Sequence, residues 1–553
     1  MAPVKKKSAR LNHQACCHVL RRESQRQGAV LIISMIFVLI FSALAVSMAT
    51  LSDTNVQLAS NQHKVNSALL AAQSGLVCAR FILATYTPIV TSDDQQVTQA
   101  QADATWAALC SHIQAQQIGG QAVANANTFT DSVGSGEQIV TPQINFGAAN
   151  VSFSVRFYRY DDNPNTIWLQ SIGADGSITK HVAINITIQK DTRVLEYGVA
   201  SKSRVIVTGD STIEADIYST WDKPNIAPPF KMDEVSTVNG TVNTVIEKNY
   251  FDPEDHHYVG YTLETLDENG NPVFDEDGNR VHSPGDKVKG AHQGINYGQP
   301  QPTVPGFDYT DYDTSIYASM TTTLPASGDT VKEYFPHAPG DYTQPANWSS
   351  KELNRQTYED ETFTDKRLPA GRNSLFKNCT FEGIFYIGIG GNGCNNVRFE
   401  NCQFNGVIVT GVPNDFKWKK NMLYFTGSAI FNNTVMEEAT ILAPNFNVNL
   451  GNTQELLYES ESVLTGLVVG GIVDVRGNAN IDGTILSMYD PGPLGSVAAQ
   501  YGTNVGFSDE NFEAGIPEDV GTINIHPEPE RMLPVGIKSD VIFVPNQQSY
   551  TEY

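Results

Sequence analysis

The chain has 553 residues, which is enough for several domains and for a large buried core. Its 60 acidic residues outnumber its 36 lysines and arginines, and the formal net charge is −24. A nucleic-acid partner is therefore excluded, because a phosphate backbone requires a basic surface. The 44 glycines, the 27 prolines and a charged fraction of only 17% indicate a turn-rich β protein in which helix is the minority.

The first part of the chain differs from this average. Residues 1–27 contain seven basic residues and one acid, and residues 29–51 form an uncharged, apolar run of 23 residues. A helix of that length measures roughly 34 Å, enough to cross a hydrocarbon core of about 30 Å. The run is longer than the apolar region of a secretory signal and lacks small residues at a cleavage site, so we expect it to be retained. Because basic residues lie only on its N-terminal side, we expect that end in the cytoplasm and the bulk of the chain across the membrane.

The helical pattern continues beyond the apolar run. No proline occurs from Ala29 to Thr87, and Gly75 is the only glycine in that range. We therefore predict one helix from Ala29 to Ala84, roughly 84 Å long, that ends before Pro88. Its second half carries an apolar stripe at helical spacing. The predicted packing face comprises Leu58, Val65, Leu69, Ala72, Leu76 and Leu83. Hydropathy alone leaves two interpretations open, a plain membrane anchor and a stem that packs against other proteins.

The junction between the basic leader and the apolar helix resembles that of type IV prepilins. Residues 26–33 read Arg-Gln-Gly-Ala-Val-Leu-Ile-Ile, and in prepilins a prepilin peptidase cuts just after such a glycine, here between Gly28 and Ala29. Usual prepilins carry a glutamate at the position of Ile33. Without it, the start resembles the PilX N-terminal family of pilus assembly proteins and the minor pseudopilin GspK of type II secretion. Residues 71–76 are similar to the family's A-E-S/A-G-L block, with Gln73 in place of the glutamate.

This resemblance implies a structural role in a pilus or a secretion apparatus, and it leaves the choice between them open. The implied partners are other pilins or pseudopilins, the prepilin peptidase and inner-membrane lipid. The implied location is the bacterial inner membrane, crossed once, with a cytoplasmic N-terminus and most of the chain periplasmic or extracellular. In pilin-like assemblies the missing carboxylate is thought to pair with the terminal amine of a neighbouring subunit. A chain with Ile33 is therefore expected at a tip or in an initiating complex, where it would serve assembly or adhesion.

The segment after the helix predicts a small antiparallel sheet. Residues 151–158, 166–178 and 182–188 alternate apolar and polar side chains, and the last two runs meet at an Asp-Gly turn. A short helix is expected at Trp106–Cys110. We expect this α+β head to pack on the long helix, as in pilin-like heads.

Internal repeats predict a different architecture further along the chain. Residues 376–383 and 399–406 share five of eight residues at a period of 23, and residues 205–219 resemble residues 473–487. Alternating apolar residues with glycine or asparagine at corners describe the coils of a parallel β-helix, which we expect to be right-handed. Equivalent side chains of successive coils then stack about 4.8 Å apart. The predicted structural ladders are Asn378 over Asn401 and Cys379 over Cys402.

These observations give a membrane-anchored α+β fold with a pilin-like helix and head followed by a mainly β solenoid. The predicted parts are a leader at 1–28, a transmembrane half-helix at 29–52, an amphipathic half-helix at 53–88, a head at 89–198, a first coil at 199–220, an acidic loop-rich insertion at 221–372, a parallel β-helix at 373–490 and a C-terminal cap at 491–553.

No residue pattern predicts a catalytic, metal or cofactor site. Cys78 and Cys110 form a possible disulfide, whereas Cys379, Cys394 and Cys402 are odd in number and no CxxC occurs. The neighbours His256 and His257 lie among acids but point in opposite directions on an extended chain. The acids near residue 275 lack the alternating ligand spacing of a calcium loop.

We therefore expect a chain that is not an enzyme and needs no cofactor. The alternative is a membrane-anchored β-helix that binds or cleaves extracellular polysaccharide, which requires a groove with two or more converging carboxylates and a basic group.

Overall fold

The computed structural model describes residues 20–91, 96–145, 150–222, 229–246, 251–252, 257–258, 263–264, 274, 282–283, 288–301, 304–334, 352–390, 395–414, 421–432, 436–450, 464–490, 502–506 and 522–553. Two compact units are formed, one by residues up to 86 with 109–186 and 545–553, the other by 87–108 and 187–544. Most of the leader, His256 and Cys394 lie outside the described residues.

The chain begins with one very long helix, α1, which extends over Leu20–Ala84. Of the described helices, it alone is long and apolar enough to cross a membrane, with a mean hydropathy of 2.8 in its most apolar window and no burial there. Its large apolar side chains from Val30 to Leu51 are all exposed. The predicted end of the helix at Ala84, before Pro88, is confirmed, whereas the helix begins at Leu20, nine residues before the predicted start at Ala29.

The second half of α1 packs through small side chains rather than through the predicted leucines. Ala68, Ala72, Ala79 and Ile82 are buried at helical spacing, and Gly75 lies on the same line. Of the six predicted residues, only Ala72 is buried, Val65, Leu69, Leu76 and Leu83 are half-buried, and Leu58 is 66% exposed. The sheet therefore contacts the small residues beside the predicted face, because it approaches the helix backbone too closely for large side chains, and the role of the predicted face stays a prediction.

An antiparallel sheet follows α1 and includes the two strands joined at the Asp-Gly turn. Its strands are β1 Val90–Thr91, β4 Asn127–Thr130, β5 Ser135–Val140, β6 Ile144–Asn145, β7 Val151–Tyr160, β8 Thr166–Asp175, β9 Ile178–Lys190 and β36 Ser539–Glu552. Their order is β1-β36-β9-β8-β7-β5-β4, with β6 on β7. Helix α2, Gln99–Ala115, contains the predicted short helix, and β2 Gln117–Ile118 forms a hairpin with β3 Gln121–Ala122.

The last strand corrects the predicted C-terminal cap. We expected residues 491–553 to close the end of the solenoid, but β36 joins the antiparallel sheet instead, next to β9. The register of β1 with β36, Val90 opposite Asp540, is antiparallel. A strand that finds a free antiparallel edge satisfies its N–H and C=O groups there, so it does not need to stack on a coil.

The rest of the chain forms a large, mostly parallel β region. Its first strands are β10 Tyr197–Ser201, β11 Arg204–Val207, β12 Asp210–Ile213, β13 Asp216–Ser219, β14 Phe230–Met232, β15 Thr237–Thr244 and β20 Ala291–Asn296. The later strands are β21 Thr322–Thr323, β22 Thr330–Tyr334, β23 Glu352–Glu359, β24 Thr362–Leu368, β25 Leu375–Lys377, β26 Thr380–Ile387, β27 Asn396–Thr410, β28 Met422–Phe431, β29 Ala439–Leu442, β30 Asn447–Leu450, β31 Leu464–Gly470, β32 Ile472–Val475, β33 Ala479–Ser487, β34 Gly502–Val505 and β35 Thr522–Ile525.

Minor elements complete the described part of the chain. Two short antiparallel pairs are β16 Phe251–Asp252 with β17 His257–Tyr258 and β18 Leu263–Glu264 with β19 His282–Ser283. Helix α3 covers Ser315–Ser319, and two 3₁₀ turns cover Arg193–Glu196 and Tyr309–Asp311. Together these elements confirm the predicted fold class of a long apolar helix, a small antiparallel sheet and a parallel solenoid, while the hand of the solenoid stays a prediction.

The parallel coils do not stack in chain order. The first coil, residues 197–213, pairs on one side with residues 216–238, and coils then continue outward to β20. The chain resumes at residue 322 and winds back through residues 357–487. The coil formed by residues 479–525 finally pairs with the free side of the first coil, placing Ser487 beside Ser201 and Ile525 beside Ile213. We call this junction the seam.

The predicted insertion is therefore partly built into the solenoid. Within residues 221–372, strands β14, β15, β20, β21, β23 and β24 pair in parallel with other coils. The coil pattern was hidden because strands such as β15, Thr-Val-Asn-Gly-Thr-Val-Asn-Thr, carry few apolar residues.

Residues 304–321, which we call the strap, connect the last outward coil, which contains β20, to β21, where the returning coils begin. Phe307, Tyr312 and Tyr317 of the strap are buried in one cluster with outward-facing residues of the coils, among them Ala200 and Leu467. The Thr314 hydroxyl donates to the carbonyl of Thr410 at 2.7 Å. Residues 531–538 run antiparallel beside it, with Asp313 N donating to Gly536 O at 2.7 Å. Both segments cover one outer face of the solenoid.

The interior of the returning coils contains two columns of stacked aromatic rings. The first column is Tyr358, Phe376, Phe399 and Phe425, with ring centroids 5.0 to 5.5 Å apart. The second is Phe363, Phe381, Phe404 and Phe431, with centroids 4.7 to 5.4 Å apart. The repeated phenylalanines of residues 376–383 and 399–406 are therefore one layer each of a continuous apolar core.

Substitution Phe399→Ala tests the contribution of this core. The ring is buried and stacked on both sides, so we expect the free energy of unfolding of the solenoid to fall by about 3–5 kcal/mol, as for large-to-small changes in packed cores. Urea unfolding followed by near-UV circular dichroism measures it. The matched control is Phe274→Ala, whose ring is 54% exposed and whose loss should cost little. Equal costs for both variants would contradict the stacked core.

Candidate functional sites

The predicted processing site lies inside helix α1. The helix begins at Leu20, so the peptide bond between Gly28 and Ala29 is eight residues beyond its start. Ile33 follows in the exposed apolar half and is 52% exposed. No acid occurs between Val30 and Ser52, and Asp53 is the first. This half of the helix offers only apolar contacts, so it requires lipid or other apolar helices around it.

The Ala71–Leu76 block allows the helix to contact the sheet closely. A Cβ on Gly75 would overlap the Ser171 hydroxyl and lie 2.9 Å from the Phe153 ring. A Cβ on Gly173, in β8, would overlap backbone atoms of Ala68 and Ala72. Glycine on both surfaces is therefore what lets α1 and β8 meet backbone to backbone.

Gln73, which stands where the family block has a glutamate, contacts an acid from the other end of the chain. Its amide Nε2 donates to Glu552 Oε1 at 3.2 Å. The carboxylate at this place is thus supplied by β36 rather than by α1.

The two cysteines considered for a disulfide are free thiols in the structure, so the predicted disulfide is absent from it. Cys110 is buried, and burial, with a smaller contribution from the nearby charge of Glu137, raises the pKa of its thiol to about 12. Burial also raises the pKa of Cys78. Both groups are protonated at neutral pH, which makes them poor nucleophiles.

The register of the coils places the predicted ladder residues beside one another. The pairing of Lys377 with Glu400 and of Thr380 with Gln403 places Asn378 beside Asn401 and Cys379 beside Cys402. The two asparagines have φ values of 51° and 54°, and Asp360 and Gly427 of the neighbouring coils share this left-handed conformation. Asn378 Nδ2 donates to Asp360 Oδ1 at 3.1 Å, and Asn401 Oδ1 accepts from Ser428 N at 2.9 Å. The column turns a solenoid corner and is structural.

The paired cysteines are likewise structural. Both are buried, and Gln403 N donates to Cys379 O at 2.9 Å in the ladder between them. A hydrogen bond with Cys379, together with burial, raises the pKa of Cys402 well above its ordinary value. Among the described residues no group of three or more His, Cys, Asp or Glu is placed to hold a metal ion.

A cavity of about 340 Å³ lies at the seam and was not predicted. Its floor comes from corners of three adjacent coils and its roof from residues at the start of the strap. The lining residues are Lys202, Thr220, Trp221, Asp222, Gln301, Val304, Phe307, Asp308, Asp311 and Asp490. We call it the seam cavity.

A repeat in the sequence positions two of its acids. Ser219 and Ser487 occupy the same register position on the two sides of Ser201. Each is followed by a residue, an aromatic ring and an aspartate, which gives Ser-Thr-Trp-Asp222 and Ser-Met-Tyr-Asp490. The similarity of residues 205–219 to residues 473–487 therefore extends by three positions, and this extension was the signal that could have indicated the site. Lys202 follows Ser201 in the coil between them.

The two acids in the roof of the cavity, Asp308 and Asp311, form ion pairs or hydrogen bonds within the chain. Asp308 forms an ion pair with Lys202, Nζ to Oδ2 2.7 Å. Asp311 Oδ2 accepts the N–H groups of Gly306 and Asp308 at 3.2 and 3.3 Å, as part of a capping box. Burial raises the pKa of Asp311. Burial acts the same way on Asp308, but the bonds from Lys202 and Thr310 outweigh it and leave its pKa below the ordinary value.

Comparison with known proteins adds an independent finding for α1. Residues 27–77 match the family model described as PilX N-terminal. No curated protein matches the chain. The N-terminal segment is thus similar to that of pilin-like proteins related to type IV pili, as the residues around Gly28 predict.

Two solved structures show a weak likeness. The competence-associated pilin ComZ from Thermus thermophilus is 12% identical, covering 89% of this chain and 98% of its own, with a TM-score of 0.26. A glycosylated ice-binding protein from an Arctic yeast is 8% identical, covering 61% and 94%, with a TM-score of 0.17. Neither likeness is strong enough to carry an argument about function.

Proposed function

We propose that this chain is a minor pilin-like subunit of a type IV pilus or a related secretion apparatus, processed by a prepilin peptidase and anchored by α1 in the bacterial inner membrane. The observation that carries the proposal is the PilX N-terminal match over residues 27–77, which coincides with an exposed apolar helix and with the Gly28–Ala29 junction. The basic leader supports a cytoplasmic N-terminus, so the solenoid would lie outside.

We also propose that the chain acts at a tip or in an initiating complex rather than along a fibre. Support comes from Ile33, which offers no carboxylate to the terminal amine of a neighbouring subunit. An unpaired ammonium within an apolar helix bundle is costly, so incorporation between such subunits is disfavoured.

We propose no catalytic role. Glycoside cleavage requires a protonated acid and a second carboxylate on either side of the bond. In the seam cavity the acid with the raised pKa, Asp311, has one oxygen bound to two backbone N–H groups, and Asp308 is paired with Lys202. Both roof acids thus hold the strap, which supports a structural role for them over a cleaving one.

The mature N-terminus tests the processing. In cells that contain the peptidase we expect the protein to begin at Ala29, and we expect Gly28→Leu to retain the leader because a side chain there obstructs access to the bond. Intact-protein mass spectrometry distinguishes the two forms. Ile33→Leu is the matched control and should be processed normally. Wild-type protein that keeps its initiator methionine, or that begins beyond Leu51, would contradict the proposal.

Substitution Ile33→Glu tests the location. The added carboxylate can neutralise the amine of a neighbouring subunit, so we expect the variant to enter the shaft of the fibre, whereas the wild type stays at the ends. Immunogold labelling of isolated fibres gives the distribution, with Ile33→Gln as the uncharged control. Wild-type label spread evenly along the fibre would refute a tip location.

A further inference from the structure

We propose that Cys379 and Cys402 become joined by a disulfide bond that cross-links two neighbouring coils of the solenoid. The inference assigns a covalent modification to two residues of the apolar core. It rests on the proposed function in one respect, because it requires the solenoid to lie outside the cytoplasm, where disulfides form and persist.

The backbone of the two coils already has the spacing that a disulfide requires. Thr380 and Gln403, which directly follow the two cysteines, are register partners on parallel strands. Gln403 N also donates to Cys379 O at 2.9 Å. Cα atoms at such positions are about 4.8 Å apart. Disulfides usually join Cα atoms that are about 4.4 to 6.8 Å apart, so Cys379 and Cys402 can be bridged without a shift of the backbone.

The two side chains also point in the same direction. Cys379 Sγ donates to the carbonyl of Tyr358 at 3.5 Å, and Cys402 Sγ donates to that of Phe376 at 3.5 Å. Tyr358 and Phe376 are themselves register partners, so each thiol makes the same contact with the coil before its own. A hydrogen bond also joins the two thiols. Both are free thiols in the structure, and only rotation about side-chain bonds separates them from bond formation.

The column in which the two residues lie offers each of them the other as its one cysteine neighbour. Ala429 is the register partner of Cys402 in the following coil. In the preceding coil, Glu361 O accepts a hydrogen bond from Thr380 N, next to Cys379. A disulfide within this column therefore joins Cys379 to Cys402.

The bond forms by thiol–disulfide exchange with a disulfide oxidant of the compartment, either a protein or a small molecule. One cysteine thiolate attacks a sulfur of the oxidant, which forms a mixed disulfide and releases one oxidant thiolate. The other cysteine thiolate then attacks the sulfur of the first, which forms the new bond and expels the second oxidant thiolate. In sum, the two cysteines lose two protons and two electrons, and the oxidant gains them as two thiols.

Burial fixes the time at which this exchange can occur. Cys379 is 1% exposed and Cys402 is 2% exposed, so neither sulfur is accessible once the coils have stacked. Exchange requires access of the oxidant to the attacking thiolate and therefore precedes closure of the coil that contains Cys402. For the same reason, the finished disulfide is protected from reductants in the folded protein.

Peptide mapping by mass spectrometry tests the cross-link on the full chain, purified from cells after alkylation of free thiols at lysis. A digest without reductant should contain two peptides joined through Cys379 and Cys402. Alkylated Cys379 and Cys402, or a bond from either of them to Cys394, would overturn the proposal. The intact mass of the same sample gives the N-terminus. A chain that begins at Ala29 and lacks the cross-link would leave the proposed function standing.

Thermal unfolding with and without a phosphine reductant tests the effect of the cross-link on stability. With reductant present throughout the scan, we expect the unfolding midpoint of the wild type to fall by on the order of 5 °C, because the unfolded chain loses its constraint. The double variant Cys379→Ala, Cys402→Ala should show no such fall, and it should stay packed because Ala429 occupies the same position in the next coil.

A control variant separates this effect from a general response to the reductant. Cys110→Ala removes a buried free thiol outside the solenoid and should keep the response of the wild type. No fall in the wild type, or an equal fall in the wild type and the double variant, would contradict the cross-link.

Discussion

The parallel pairing of the first coil on both of its edges is the constraint on which the rest of the solenoid depends. Residues 197–213 bond to residues 216–238 on one side and to residues 479–525 on the other. A coil at the end of a stack exposes a row of N–H and C=O groups that invites pairing with other chains. Here the first coil is closed on both sides by its own chain.

This arrangement requires pairing between segments that are far apart in the sequence. Ser201 pairs with Ser487, so the seam closes only after nearly three hundred intervening residues have been placed. Non-local pairings of this kind are slow to form, because the loop-closure entropy is lost before the contacts are gained. The strap is the connection that makes the order possible. Its buried Phe307, Tyr312 and Tyr317 hold the connection against the coils that it crosses.

The seam also forms a cavity to which several separate segments of the chain contribute. The cavity takes Lys202 from the first coil, Asp222 and Asp490 from its two neighbours, and Asp308 and Asp311 from the strap. Pairing of Lys202 with Asp308 therefore fastens the strap to the first coil at the point where the last coil docks.

Local patterns in the sequence were sufficient for much of this structure. The phenylalanine and asparagine repeats predicted the stacked coils and the Asn378–Asn401 ladder because equivalent positions of a solenoid coincide in space. Alternation predicted β7, β8 and β9. The contact between α1 and the sheet could not be predicted from hydropathy, because hydropathy gives most weight to large apolar side chains. In the structure Gly173 lies so close to the backbone of α1 that only alanine and glycine fit at the contact. The position of β36 and the order of the coils depend on pairing between distant segments of the chain. The similarity of residues 205–219 to residues 473–487 indicates that both segments form the same part of a coil, but it does not indicate that their coils are neighbours.

Amide hydrogen exchange, read by mass spectrometry on peptic peptides of the full chain, tests the closed seam most directly. Amides bonded within an interior coil open only with the cooperative unit around them. Peptides covering residues 197–213 should therefore exchange as slowly as those covering residues 464–487, and more slowly than those covering residues 288–296 in the last outward coil. Exchange of residues 197–213 as fast as residues 288–296 would show a first coil with an open edge and would contradict the seam.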